Sequence, residues 1–285
     1  MKKALKKQLI TSKKFKFGRS GLGNWLFNYA GVKLYAEKNG FDFAMPSWVG
    51  TKVFQNIQPW AITQKIKSIF YRQIQLDDLD SYTKIQAFLW LLSKKEKLPQ
   101  TQSLESLYKN PKDNISIYGY MQDEFAIRLI KESRQKIKDW FQFKNNIEKE
   151  HEKITVGLKP WIGIHIRRGD YIKLGINLPV SQYKSKLDEI KKQHPNHKIF
   201  IATNDKTILS EFNGYNPLRI SNPLPGIPDY IFDFWMLTNS EIIIGGGSTF
   251  SWWAAFLSNK NNYYSPLLTQ FWSKDYKPEL KLQVF

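Results

Sequence analysis

The stretch Trp161-Ile-Gly-Ile-His-Ile-Arg-Arg-Gly-Asp-Tyr171 constrains this chain more than any other. Ile162, Ile164 and Ile166 alternate with Gly163, His165 and Arg167, the period of two that marks a β-strand. A strand sends alternate side chains to opposite faces. The isoleucines are therefore expected in a core, with His165 and Arg167 sharing the other face. Gly169-Asp170 then ends the strand in a turn. An open α/β sheet binds its ligand beyond the carboxyl ends of its strands, and this strand delivers a histidine, two arginines and a carboxylate to such an edge. Alone, Arg-Arg-Gly-Asp is the pattern of a solvated charged turn. The alignment of Arg167 with His165, and the partners supplied downstream, favour a site.

Those partners lie in regular alternation. A helix is expected over 180–192, a strand over 198–203 ended by Asn204-Asp205, and a short helix over 208–212. Pro228 opens a further helix that carries Asp229 and Asp233 one turn apart on one face. A buried strand over 241–244 enters Gly245-Gly-Gly-Ser248-Thr249-Phe250-Ser251, and a helix follows over 252–257. Strand, triple glycine, hydroxyls and helix N-terminus form an anion cradle, with Ser248 or Ser251 as cap. His165, Arg167, Asp205, Asp233 and the Ser248 loop suit a nucleoside diphosphate. Arginine grips phosphate with two parallel donors, and a carboxylate such as Asp233 accepts the two N–H bonds of a guanine edge. Arginine and a helix N-terminus offset the diphosphate charge without metal.

The first half is less legible. Residues 1–13 read as a basic tail and 14–17 as a short strand. Gly18-Arg-Ser-Gly21-Leu-Gly23-Asn24 is a glycine-rich turn opening a helix of about 15 residues that stops at Asn39-Gly40. A strand over 41–45 completes a βαβ unit. A strongly apolar helix is expected over 85–93, a strand over 115–120, and then a helix with Phe125, Leu129, Ile137, Trp140 and Phe141 as buried candidates. The charged segment 144–153 is the candidate hinge between two halves. Asp78-Leu-Asp80 has the Asp-x-Asp form that binds metal in many sugar-nucleotide enzymes, but no strand leads into it and a metal role is not expected.

Composition removes other classes. With 285 residues and no cysteine, the chain has room for one large domain or two ordinary ones, and no disulfide framework. No apolar run reaches the ~18 residues of a membrane span, and the start lacks the apolar core of a secretory signal. The net charge of +18 favours anionic partners. A nucleic-acid-binding protein would show a basic stripe and a binding motif; here the lysines are spread along the chain, and no such motif occurs.

At this point the residues resemble the α-1,2-fucosyltransferases of glycosyltransferase family 11. His165-Ile-Arg-Arg-Gly-Asp-Tyr171 matches that family's His-x-Arg-Arg-Gly-Asp-Tyr signature, and Ser248-Thr-Phe-Ser-Trp-Trp253 its Ser-Ser-Phe-Ser-Trp-Trp block, with Asp233 at the family spacing upstream. Gly21-Leu-Gly-Asn-Trp-Leu-Phe-Asn-Tyr-Ala30 and Gly119-Tyr-Met-Gln122 are similar to its two amino-terminal motifs. Trp25 replaces a usual glutamine, Gly247 a common asparagine, and Asn204 the first residue of a frequent Asp-Asp.

The resemblance implies an α/β fold of the GT-B type, two Rossmann-like doubly wound domains facing a cleft: 1–150 on the acceptor side and 151–285 binding GDP-fucose. It implies inverting transfer of L-fucose from GDP-β-L-fucose to O2 of a terminal β-galactoside, in bacterial surface polysaccharide or lipopolysaccharide O-antigen synthesis. The alternative is a GDP-sugar transferase of different acceptor or linkage. No cofactor and no metal are expected. By analogy Arg167 binds the β-phosphate, His165 and Asp233 line the guanosine end, and Ser248, Thr249 and Ser251 hold phosphate oxygens. Gly23 and Asn24 reach over from the other half, Asp205 lies at the donor edge, and Asp170 is either the base or the partner that orients an arginine. The expected partners are GDP-fucose, a galactose-terminated glycan and, peripherally through Lys2, Lys3, Lys6 and Lys7, an anionic cytoplasmic membrane face; nucleic acid is not among them.

Overall fold

The computed structural model describes residues 9–12, 21–58, 60–68, 71–76, 100–173, 175–260 and 262–265. The chain forms two compact units: Met1–Lys52 with Asn56–Trp140, and Val53–Gln55 with Phe141–Phe285.

The first unit is built on a parallel five-stranded sheet. Its strands are β1 (Leu9–Ser12), β2 (Asp42–Ala44), β3 (Arg72–Leu76), β4 (Gln100–Gln102) and β5 (Ile115–Tyr118), in the order β2-β1-β5-β3-β4. The tail expected over 1–13 is thus corrected at its end: Leu9 and Ile10 pair with Asp42 and Phe43, and Ile10 is fully buried. A strand in mid-sheet has partners on both edges, so four residues suffice where the sequence shows only one apolar pair among lysines. β3 was not expected either; Ile74 and Leu76 are buried within a polar-looking run. The strand expected over 14–17, the apolar helix over 85–93 and Asp78-Leu-Asp80 lie outside the described residues.

Helix α1 (Leu22–Lys38) follows the glycine turn. It ends as expected: Gly40 takes a φ of 67° and donates to Glu37 O at 3.2 Å, while Phe41 N–H donates to Ala36 O at 2.9 Å. This 5→2 and 6→1 pairing satisfies the last carbonyls. Short helices α2 (Val49–Val53), α3 (Ile62–Ser68) and α4 (Leu104–Lys109) intervene. Then α5 (Glu124–Glu132) is capped by Asp123, which accepts from Ala126 N at 2.7 Å, and α6 (Arg134–Trp140) closes the unit. The buried face of α5 is Ala126, Ile127 and Ile130 rather than Phe125 and Leu129. Ile137, Trp140 and Phe141 are buried as expected.

In the second unit, 145–153 of the expected hinge segment lies in α7 (Asn145–Thr155), with Lys144 at its N-cap, and the helix turns Ile147, His151 and Thr155 inward. The sheet is again parallel: β6 (Trp161–Ile166), β7 (Lys198–Thr203), β8 (Ile242–Gly245) and β9 (Tyr263–Tyr264), in the order β7-β6-β8-β9. Helices α8 (Asp170–Lys173), α9 (Val180–Gln193), α10 (Asp229–Thr238) and α11 (Thr249–Leu257) connect them, with a 3-10 stretch over Lys206–Tyr215. The isoleucines of β6 enter a core with Tyr183, Leu187 and Ile190 of α9 and with Ile199, Ile201, Ile242 and Ile244.

The other face of β6 is not polar: all six of its residues are buried. Helices cover both faces of such a parallel sheet. Trp161 Nε1 donates to Met236 O of α10 at 3.0 Å, and Gly163 faces the C-terminal end of that helix. A Cβ on Gly163 would lie 2.3 Å from Ser240 Oγ, which is itself bonded to Met236 O at 2.9 Å. Gly163→Ala is therefore expected to destabilise the protein by about 1–3 kcal/mol, the usual cost of overpacking. The shift of the denaturant midpoint measures it.

Candidate active site

All strands of the second sheet run the same way, so Arg167, Asn204 and Gly246 emerge at one carboxyl edge. The turn after β6 is tight. Gly169 has a φ of 41°, and a Cβ there would meet the Asn204 amide at 2.6 Å. Asn204 Oδ1 in turn accepts from Arg168 N at 2.8 Å, so the end of β7 clamps the turn.

The clamp gives the two arginines different work. Arg167 Nε and Nη2 meet Asp170 Oδ1 and Oδ2 at 2.9 and 3.0 Å, a two-bonded fork. Arg167 is 37% and Asp170 54% exposed, so this pair contributes only about 0–1 kcal/mol, and an entering phosphate can compete for the guanidinium. Arg168 Nε instead bonds Asp205 Oδ2 at 2.9 Å. Asp205 also caps the 3-10 stretch through Thr207 N at 3.1 Å and Thr207 Oγ1 at 2.6 Å. Bonds from Thr207, and then Arg168, hold its carboxyl below the usual range.

His165 is buried on the face of β6 opposite the isoleucine core, its ring 4.9 Å from that of Phe250. Burial, reinforced by the nearby Arg167 charge, pushes its pKa down to about 3, so the imidazole is neutral at pH 7. Its Nδ1 has no hydrogen-bond partner in the protein. A buried polar atom left so is costly.

The glycine loop lies beside this cluster. Gly247 has a φ of 74°, and its N–H donates to Ser265 Oγ at 3.1 Å. Ser248 caps α11, accepting from Phe250 N at 3.2 Å. Thr249 is the first helical residue, and Ser251 Oγ bonds Ser248 O at 3.1 Å and lies 3.3 Å from Tyr263 OH. Tyr171 lies under the Arg167 guanidinium, 5.9 Å from ring centre to Cζ. A Cβ on Gly246 would lie 1.8 Å from Tyr183 OH.

The second unit thus gathers His165, Arg167, Asp170, Ser248, Thr249 and Ser251, with Asp205 one link away through Arg168. Asp233 stands on α10, half-buried, with Lys206 and Asp229 as its charged neighbours. Burial pushes its pKa up to about 6, against the pull of Lys206. Gly23 and Asn24 belong to the first unit, where Asn24 Oδ1 accepts from Gln122 Nε2 at 2.9 Å and Asn28 Nδ2 donates to Gly119 O at 2.9 Å. The two amino-terminal motifs therefore meet. Sequence reasoning missed Tyr183, Tyr263 and the Phe250 ring. The signal was in the glycines: three in a row leave room that bulky neighbours fill. Among the described residues no three His, Cys, Asp or Glu gather as a metal site, and no helix is long and apolar enough to cross a membrane.

The family model described as "Glycosyl transferase family 11" matches residues 118–277. An alpha-1,2-colitosyltransferase from Escherichia coli is 22% identical over 259 residues, covering 84% of this chain and 85% of that protein. Among solved structures, the fucosyltransferase NodZ from Bradyrhizobium superposes with a TM-score of 0.52 at 15% identity, covering 89% of this chain and 94% of its own. POFUT1 in complex with GDP-fucose gives 0.55 at 10% identity, covering 90% and 96%. At such identities the structures speak for the fold, α/β of the GT-B type with parallel sheets, and not for the substrate.

Proposed function

The chain belongs to glycosyl transferase family 11, and on that premise we propose that it moves L-fucose from GDP-β-L-fucose to O2 of a terminal β-galactoside, with inversion. The observation that carries the reading is the edge itself: a guanidinium held by one exposed carboxylate, beside a capped helix N-terminus and a buried imidazole with an unpartnered nitrogen. Arg167 binds the β-phosphate. Ser248, Thr249 and Ser251 with the α11 N-terminus take the other oxygens. Asp205 fixes Arg168 at the same edge. In the reaction the acceptor O2 bonds to C1 of fucose as the bond from C1 to the β-phosphate oxygen breaks, and GDP leaves with the electron pair. The hydroxyl proton passes to solvent or a base. Asp170, with both oxygens on Arg167, is proposed as the residue that orients the fork. Arginine and helix N-terminus offset the charge on departing GDP, so the proposal needs no metal.

A second donor has support of its own. The Escherichia coli relative is named for colitose and for an α-1,2 linkage; colitose is fucose without its 3-hydroxyl. GDP-fucose and GDP-colitose offered together with a β-galactoside, followed by mass analysis of the product, separate the two. Transfer from neither, with transfer from a UDP-sugar, overturns the donor assignment. The biological setting proposed is synthesis of a bacterial surface polysaccharide or O-antigen, with the basic start at Lys2, Lys3, Lys6 and Lys7 holding the protein on an anionic cytoplasmic membrane face. Each lysine at such a surface contributes roughly 1 kcal/mol. Binding to anionic vesicles should therefore vanish in high salt, and salt-resistant binding contradicts a purely electrostatic attachment.

Asp233 is proposed to accept the guanine N1–H and N2–H₂. Asp233→Ala should weaken GDP binding by about 1.5–3 kcal/mol, the scale of hydrogen bonds to a charged group, and shrink the preference for GDP over ADP. The pH dependence follows. With its pKa raised to about 6, the carboxyl is neutral below that value and loses one acceptor. GDP affinity should fall as pH drops through about 6 in the wild type and stay flatter in Asp233→Ala. Titration calorimetry at several pH values measures both.

A further inference from the structure

The loop between β8 and α11 has little of its own to hold its shape. Gly245, Gly246 and Gly247 carry no side chains to pack, and glycine gives up the most conformational freedom when it is fixed. Gly247 also sits at a φ of 74°. The first N–H groups of a helix lack partners within it, so the aim of those in α11 depends on this loop. Restraint has to come from a neighbour, and the edge strand β9 supplies it. β9 pairs with β8, which sets Tyr263 beside Ile243 and Tyr264 beside Ile244. Successive strand residues face opposite ways. Burial follows that rule: Tyr263 is buried, Tyr264 exposed and Ser265 half-buried. Tyr263 and Ser265 thus turn to the same side, the side of the loop.

Both hydroxyls reach it. Ser265 Oγ accepts from Gly247 N at 3.1 Å. A peptide unit is planar, so this bond fixes how the peptide between Gly246 and Gly247 is turned. Tyr263 acts at both ends of the loop. Its ring lies against Gly245, where a Cβ would come within 2.8 Å of ring Cε2 and of the hydroxyl. Its OH lies 3.3 Å from Ser251 Oγ, which donates to Ser248 O at 3.1 Å, and Ser248 is the cap of α11. Burial pushes the Tyr263 pKa up to about 12, so at pH 7 the group is a neutral hydroxyl able to donate or accept. β9 is anchored in turn: Lys186 Nζ of α9 lies over the Tyr264 ring at 4.2 Å, and Ile243 N–H donates to Asn262 O at 2.8 Å.

We infer that Tyr263 and Ser265 are positioning residues for the diphosphate: from β9 their hydroxyls lock the Gly245–Ser248 loop and the first turn of α11 in the form that receives it. The inference rests on the proposed nucleotide site. Titration calorimetry with GDP and with guanosine, which lacks the phosphates, separates positioning from general stability. Ser265→Ala and Tyr263→Phe each remove one hydroxyl and leave the packed atoms in place. Each should weaken GDP binding by about fivefold, the scale of one hydrogen bond, and leave guanosine affinity as in the wild type. Ser265→Thr keeps the hydroxyl and should restore GDP affinity. Equal losses for GDP and guanosine, GDP affinity unchanged in both variants, or Ser265→Thr as weak as Ser265→Ala overturns the inference. Inorganic pyrophosphate tells the two readings apart. If the wild type binds pyrophosphate in a way that depends on Ser265 but binds neither GDP nor guanosine, the nucleotide reading fails and the positioned loop stands. If GDP binds equally well with and without both hydroxyls, the nucleotide reading stands and the inference fails. Binding of none of the three ligands overturns both.

Discussion

Arg167→Lys is expected to lower kcat by about 10²-fold or more, the scale of removing one preorganised donor group from a site where charge develops. Lysine keeps the positive charge but loses the planar fork that meets Asp170 at 2.9 and 3.0 Å. If Arg167 stabilises departing GDP, its contribution grows toward the transition state, so GDP-fucose binding should weaken less than kcat falls. Arg168→Lys supplies the contrast. Its guanidinium is bonded to Asp205 at 2.9 Å and its backbone N–H to Asn204 at 2.8 Å. That change should act on the local turn and on melting temperature more than on chemistry. A well-folded Arg167→Lys protein with wild-type kcat, or an Arg168→Lys protein more impaired in chemistry, contradicts the assignment.

Gly246→Ala should be nearly as damaging, for a steric reason. The added Cβ falls 1.8 Å from Tyr183 OH, and Tyr183 is 1% exposed in the packed face of α9. The ring has nowhere to go, so the loop between β8 and α11 must lift. Overpacking of this kind costs about 1–3 kcal/mol, and if this loop holds the donor phosphates as proposed, a displacement near 1 Å lowers the rate about 10²-fold. Removing the offending atom should reverse it. In Gly246→Ala/Tyr183→Phe the nearest ring atom is a carbon at 3.1 Å, and activity should recover most of the way. Loss without recovery would mean that Gly246 serves the backbone rather than the space beneath Tyr183.

How much of this was legible depends on what each residue answers to. The strand at Lys198–Thr203 and the helix at Val180–Gln193 follow from periodicity, because long apolar patterns answer to burial alone. The same logic found β6 but misjudged its second face, since alternation tells which residues share a side and not what covers that side. β1 and β3 escaped notice because four or five residues held between neighbours need little apolar pattern of their own. In the site, residue type and position beyond a strand end pointed to Arg167, His165 and Ser248. Alternation stops at Ile166, however, so it could not tell that Arg168 turns to Asp205 or that Asp170 closes on Arg167. Tyr183 and Tyr263 looked like core residues, and they are; their bearing on the glycine loop is a matter of distance, which only folding sets.

The most direct test is the product itself. The protein, GDP-β-L-fucose and a terminal β-galactoside are incubated and the new glycosidic bond is located by NMR. An α-anomeric fucose on O2 of galactose, formed as GDP is released, is the result expected from an inverting family 11 transferase. A fucose of β configuration, or transfer from UDP-sugars with GDP-fucose left untouched, contradicts it.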